Sequence, residues 1–320
     1  MFSSLSSIAD RNFIVGYLLP VLIAGIACLW LLSDIPAVGA IWAAVFDTAK
    51  IEALTLLVLG VWSVALLLQL FSLEIYRVLE GYLPPFNRPA RTRRYVERFN
   101  KAKANLIVLK AAFDKDPTAE DAWLDAQESF AQDFPPEDWQ VMPTRFGNVL
   151  RAFECYPAAM YGVDGVPAWL RLEAIASDSF GKFVDAARAD VDFFVNGCFL
   201  AALVAAVCAA RIVIALALAL APQSSGDWTA ALAFIAPAIL CGVLSRLAYE
   251  AATLRAHAWG DLVRSAFDVY LPALAAQMGY TLPATLDKRR DFWDAVNSQF
   301  LYNTPIDPAA WAPAKPPGNP

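Results

Sequence analysis

Asn148, Arg151 and Glu154 recur every three residues beside an apolar stripe, and Tyr161, Asp164, Trp169 and Arg171 lie in the connection that follows. A guanidinium is a planar fork of donors that matches a carboxylate or a phosphate. Asn148, Arg151, Glu154, Asp164 and Arg171 could therefore hold an anionic ligand or a partner. Together with Tyr161 and Trp169 they could equally form a polar network that only holds the turn, which is the simpler use.

A second group is cationic. Arg91, Arg93, Arg94, Arg98, Lys101 and Lys103 crowd into one short stretch. Next to a bilayer each such cation gains roughly 1 kcal/mol from an anionic lipid surface. Lipid-headgroup contact is their simplest use, with a protein partner as the alternative. Nucleic acid is not expected, because no binding motif accompanies them and the segment that follows is acidic.

A third group lies in an apolar run. Gly197, Ala201, Ala205 and Ala209 repeat every four residues, and small residues let helices approach closely in lipid. The stripe could serve packing within one subunit or between subunits. Arg211 is the charge inside the same run, costly there unless it snorkels, pairs or faces water. Near the outer interface it could snorkel. The sharper alternative turns it toward a polar cavity or an oligomer axis, and no acidic partner is visible at matching depth.

The remaining chemistry is sparse. His257 is the single histidine, and the five cysteines (Cys28, Cys155, Cys198, Cys208, Cys241) are odd in number and lack CxxC spacing. Neither a zinc site nor a disulfide framework is expected. No GxxxxGK[ST], GxGxxG, GxSxG or HExxH motif occurs. The expectation is a non-enzymatic protein with no cofactor and no metal.

The elements that must position these residues follow from hydropathy. A hydrophobic share of 58% and a mean hydropathy of +0.45 exceed what a soluble core needs. A helix needs about 20 apolar residues to cross the hydrocarbon layer. Residues 13–32, 51–71, 193–221 and 229–248 qualify, which predicts an all-α membrane protein with four transmembrane helices. The first stretch is too long for the apolar part of a signal peptide and is read as an uncleaved anchor.

Charge sets the orientation. Residues 77–110 carry nine basic and two acidic side chains, whereas residues 33–50 have only Lys50 as a cation and residues 222–228 have none. Cationic flanks stay inside. Both short loops, with Trp30 and Trp228, are thus expected outside, and both termini in the cytoplasm of a bacterial inner membrane.

The predicted organisation is residues 1–75 as spans 1 and 2, 76–190 as a cytoplasmic helical region, 191–248 as spans 3 and 4, 249–304 as C-terminal helices and 305–320 as a flexible Pro-rich tail. Apolar spacing predicts helices over 91–113, from Thr118 to Pro135, from Thr144 toward Pro157, from Ser177 into the third span, along 262–271 up to Pro272, and over 287–300. Span 2 is expected to continue as helix past Leu73 and Tyr76.

The stretch from Thr144 to Glu154, followed by Tyr161-Gly162-Val163-Asp164 and Trp169-Leu170-Arg171-Leu172, resembles a pattern in uncharacterised bacterial four-span membrane proteins, TRxGNxxRAxE, YGxD and WxRL. The block from Trp259 to Asp268 looks similar to a second block there, and the likeness covers about two-thirds of the chain. It implies a bacterial source and the same four-span layout, without an activity to carry over.

Three functions follow in order. The first is a membrane anchor, receptor or scaffold whose cytoplasmic module binds a partner or signal. The second is an oligomeric channel or membrane-perturbing effector with Arg211 touching water. The third is a membrane-tethered, lipid-acting enzyme. The expected partners are the lipid bilayer and a protein or further copies of the chain.

Overall fold

The computed structural model describes residues 11–47, 50–220, 228–306 and 311. In chain order the helices are α1 (Arg11–Leu31), α2 (Pro36–Phe46), α3 (Ile51–Leu70), α4 (Ser72–Glu80), α5 (Pro89–Phe113), α6 (Glu120–Asp133), α7 (Arg145–Glu154), α8 (Tyr156–Tyr161), α9 (Gly165–Glu173), α10 (Asp178–Ala219), α11 (Thr229–Gln277) and α12 (Leu286–Tyr302). No strand occurs among the described residues. The chain forms two compact units, residues 1–77 with 188–255, and residues 78–187 with 256–320.

The first unit holds the apolar stretches. α1, α3, α10 and α11 are each long and apolar enough to cross a membrane. Their outward side chains are bare, with Leu56 70%, Leu70 77%, Val213 65%, Leu218 65% and Ile239 62% exposed. Water would drive such surface together, whereas lipid is its natural solvent. Within the unit, Phe13 packs on Trp62 with ring centroids 5.5 Å apart, which joins α1 to α3.

Several expectations for this unit need correction. Residues 33–50, read as a plain loop, contain α2. Pro36 starts it with a pre-set φ while Ile35 stays extended. Helix does continue past Leu73 and Tyr76 as expected, but as α4, after a one-residue turn at Phe71. α11 carries Pro237 and Pro272 inside it and ends only at Gln277, beyond the expected stop at Pro272. A proline removes one N–H and kinks a helix, but neighbouring packing can hold the helix through it.

The second unit is built on aromatic cores. α5 and α6 form a hairpin around Phe99, with Phe130 and Phe134 at 5.3 and 5.8 Å. Phe113 stacks on Trp123 at its far end, 5.1 Å between centroids. The helix predicted from Thr118 is preceded by a capped turn. Asp116, not Thr118, caps the turn, accepting from the Thr118 N–H at 2.9 Å.

α7 follows its sequence pattern, with Phe146, Val149, Leu150 and Phe153 all buried. Thr144 caps it by accepting from the Gly147 N–H at 3.0 Å. The connection after it is the helix pair α8 and α9. Gly162 allows the sharp exit from α8, because its φ of +79° is left-handed. Ser177 caps α10 as predicted, accepting from the Phe180 N–H at 3.3 Å.

Phe292, Trp293 and Val296 bury the inner face of α12. The tail expected to be flexible falls mostly outside the described residues, as do residues 1–10 and the predicted end of the third span with its loop, 221–227. Of that tail, Ile306 is buried and Trp311 packs on Phe292 at 5.3 Å.

Candidate functional site

The residues singled out around α7 separate into different jobs. Asn148, 1% exposed, clasps the strap before α7. Its Oδ1 accepts from the Met142 N–H at 2.8 Å, and its Nδ2 donates to the carbonyls of Met142 and Thr144 at 2.8 and 2.6 Å. All its strong hydrogen-bonding capacity is thus spent on backbone. Asp164 caps α9, accepting from the Val166 N–H at 3.3 Å, while its own N–H donates to Asn297 at 2.8 Å.

Tyr161 and Arg171 are likewise engaged. The hydroxyls of Tyr156 and Tyr161 both donate to Oδ1 of Asp268, at 2.8 and 2.6 Å. Burial and the bond to Asp268 hold the Tyr161 phenol above its ordinary value. Arg171 donates to the Pro167 carbonyl at 2.5 Å and lies 3.7 Å over the Phe300 ring. Asn148 and Arg171 are thus spent elsewhere, whereas Arg151, Glu154 and Asp164 all lie close to Cys155.

A second constellation converges. Phe153 and Glu154 from α7, Gly165, Val166 and Trp169 from α9, and Trp259, Val263 and Phe267 from α11 enclose a cavity of about 180 Å³. Its walls are rings in mutual contact, Phe153 edge-on to Trp259 at 5.2 Å and Trp169 tilted on Phe267 at 6.2 Å. Gly260 makes this approach practicable, since a side chain there would strike the Phe153 ring.

Glu154 is the single ionisable residue among those lining this cavity. Burial pushes its carboxyl up, against the pull of Arg151, which lies 3.6 Å away. The indole N–H of Trp259 is buried with no acceptor among the described residues. An apolar hollow with a shifted carboxyl and an unspent donor is the usual form of a small binding site. Sequence reading named Glu154 and Trp169 but could not join them to Trp259 and Phe267.

α9 also exposes two apolar side chains beside the charged Arg171 and Glu173. Val166 and Leu170, on the outer side of α9, are 67% and 70% exposed. A charged cluster lies elsewhere in the same unit. His257 meets Asp133 at 3.1 Å, with Arg145 3.4 Å from the same oxygen. Burial raises the Asp133 carboxyl, but the His257 bond and the Arg145 charge outweigh it and hold the group below its usual value.

In the first unit the missed residues surround Asp192, 6% exposed. Tyr76 donates to it at 2.7 Å, and Arg188 stands 4.0 Å off. One helical turn on, Asn196 donates to the Gly16 carbonyl at 2.8 Å, inside a π-helical turn over Ile14–Leu18. These bonds tie α1 and α4 to α10.

Arg211 has an acidic partner after all. It pairs with Asp34 from the α1–α2 connection and lies 4.9 Å over the Phe234 ring. The small-residue stripe does not form the packed seam of α10, which is Asp192, Asn196, Leu200, Val204 and Cys208. Gly197 and Ala201 instead line an apolar groove of about 400 Å³ with α1 and α11, and Ala209 is exposed.

The six predicted lipid-contact cations lie on α5 and are exposed. Among the described residues no three His, Cys, Asp or Glu side chains gather as a metal cluster. Compared with known proteins, the chain matches no family model, no curated protein and no solved structure.

Proposed function

We propose that this chain is a non-enzymatic protein of the bacterial cytoplasmic membrane, whose helical region outside the spans binds a partner or signal while its spans anchor or assemble it. Both termini and residues 76–190 lie on the cytoplasmic side. The excess of cations in residues 77–110 supports that orientation. The resemblance of residues 144–172 and 259–268 to bacterial four-span proteins supports the source.

The observation that carries the binding role is the ring-lined cavity between α7, α9 and α11, with Glu154 in its wall. It has the dimensions of an apolar side chain or a small planar molecule rather than of an extended substrate. Val166 and Leu170 beside it supply a further apolar contact, of the kind that marks interaction surfaces. No feature of the cavity supplies a nucleophile with an adjacent base, so binding is the chemistry it favours.

Photo-crosslinking in native membranes tests this. A crosslinker placed at Val166 or Leu170 is expected to yield the same discrete adduct, absent from a control at Asp121 and lost when Trp169→Ala alters the cavity wall. Adducts that are scattered, or that survive Trp169→Ala in a folded protein, would overturn the proposal.

A further inference from the structure

Of the six cations predicted to contact lipid, four share one side of α5. Arg91, Arg94, Arg98 and Lys101 are spaced three, four and three residues apart within a helix running from Pro89 to Phe113. That spacing puts them in a single row. All four are exposed, and among the described residues none of them makes an ion pair. Lys103 and Lys110 fall on the other flank and are already engaged, over the rings of Phe99 at 5.5 Å and of Phe113 and Trp123 at 4.7 and 4.5 Å.

Aromatic rings accompany the row. Arg91 stacks on Phe86 at 4.9 Å and Arg98 on Tyr95 at 5.0 Å. Arginines interleaved with amphipathic rings suit the headgroup layer of a bilayer, where the ring sits at the interface and the cation meets phosphate. Exposed like charges in a row repel one another in water, an effect that the neighbouring exposed Glu97 and salt only partly offset, so an anionic surface would favour their placement.

We infer that this row is a docking surface for anionic phospholipid, a peripheral foot that α5 sets on the bilayer. α5 begins at Pro89, shortly after the apolar helix α3 ends at Leu70. At no more than about 3.5 Å per residue, the connection tethers the row within tens of ångströms of the end of α3. Tethering of that kind gives a high effective concentration, and weak individual contacts then suffice. The inference rests on α3 being a membrane span and is independent of the cavity at α7.

Lysine footprinting of the full-length protein tests it, with Lys103 and Lys110 as internal references. The protein is reconstituted in nanodiscs of phosphatidylcholine alone or enriched in phosphatidylglycerol, and acetylation of each lysine is read by mass spectrometry. Lys101 should become several-fold less reactive in the phosphatidylglycerol discs while Lys103 and Lys110 do not change. The protection should vanish near 1 M salt, where the Debye length is about 3 Å.

Replacing Arg91, Arg94 and Arg98 by Gln should restore Lys101 reactivity, and replacing them by Lys should leave it protected. Equal Lys101 reactivity in the two lipids would overturn the inference, and so would equal protection of all three lysines. Protection that appears only when an oligonucleotide is added would assign the row to nucleic acid instead. If the Gln variant fails to insert, the lipid and salt comparisons on the natural protein decide alone.

Discussion

At the scale of single residues, two carboxyls carry opposite electrostatic signatures. Glu154 is raised by burial against Arg151, and Asp133 is held low by His257 and Arg145 despite burial. A carboxyl whose folded pKa is raised adds stability in acid that disappears as pH rises through that pKa. One whose folded pKa is lowered adds stability above the unfolded value of about 3.9 that disappears as pH falls. In thermal unfolding the natural protein should therefore gain on Glu154→Gln as pH falls from about 7 to about 4, and lose ground to Asp133→Asn only as pH falls further, below about 4. Two parallel, flat differences would mean that neither environment is as the geometry implies.

Single positions also explain why Asn148 does not face a ligand. Asn148 could have faced a ligand by its spacing alone, yet it is 1% exposed and wholly occupied by the Met142–Thr144 backbone. Spacing reports which residues share a helix face. It does not report which backbone groups of the preceding strap need a partner.

At the scale of elements, the Asp34 pairing changes the meaning of Arg211. A charge in an apolar helix must snorkel, face water or find a counter-ion, and the last leaves less need for a pore. Here the connection between α1 and α2 reaches back to α10 and supplies one. With Asp34 half exposed, the pair should be worth about 0.5–1 kcal/mol. A double-mutant cycle of Asp34→Asn and Arg211→Gln, followed by unfolding in detergent, is expected to give a double variant less destabilised than the sum of the singles. Strict additivity would show the contact to be idle.

The same scale accounts for the helix breaks. The turn at Phe71 and the π-helical turn at Ile14–Leu18 both lie in stretches with an unbroken apolar pattern. Periodicity had no signal for either, since each departs from α-helix by a residue or less. The π turn coincides with the place where Gly16 meets Asp192 and Asn196, a common setting for such bulges.

For the whole molecule, the anchor reading and the channel alternative differ in assembly. A pore needs several copies around an axis, because one subunit of this size offers no polar conduit among its described cavities. The mass of the protein in nanodiscs is expected to correspond to a monomer or dimer. A ring-sized complex would instead direct attention to the apolar groove at Gly197 and Ala201 as a contact between copies.

The amino-acid sequence alone determined that this is a helical protein with four stretches able to cross a membrane, because length and hydropathy are local quantities that a helix reads out directly. It also located α7, whose buried stripe repeats at helical spacing, and the cationic stretch on α5. Only tertiary structure decided which residues meet. The Tyr161–Asp268 bond, the His257–Asp133 contact and the Arg211–Asp34 pair join residues more than a hundred positions apart. The cavity is assembled from three helices in the same way. Pairing over such distances depends on how helices turn and pack against one another, and no property of a single segment encodes it.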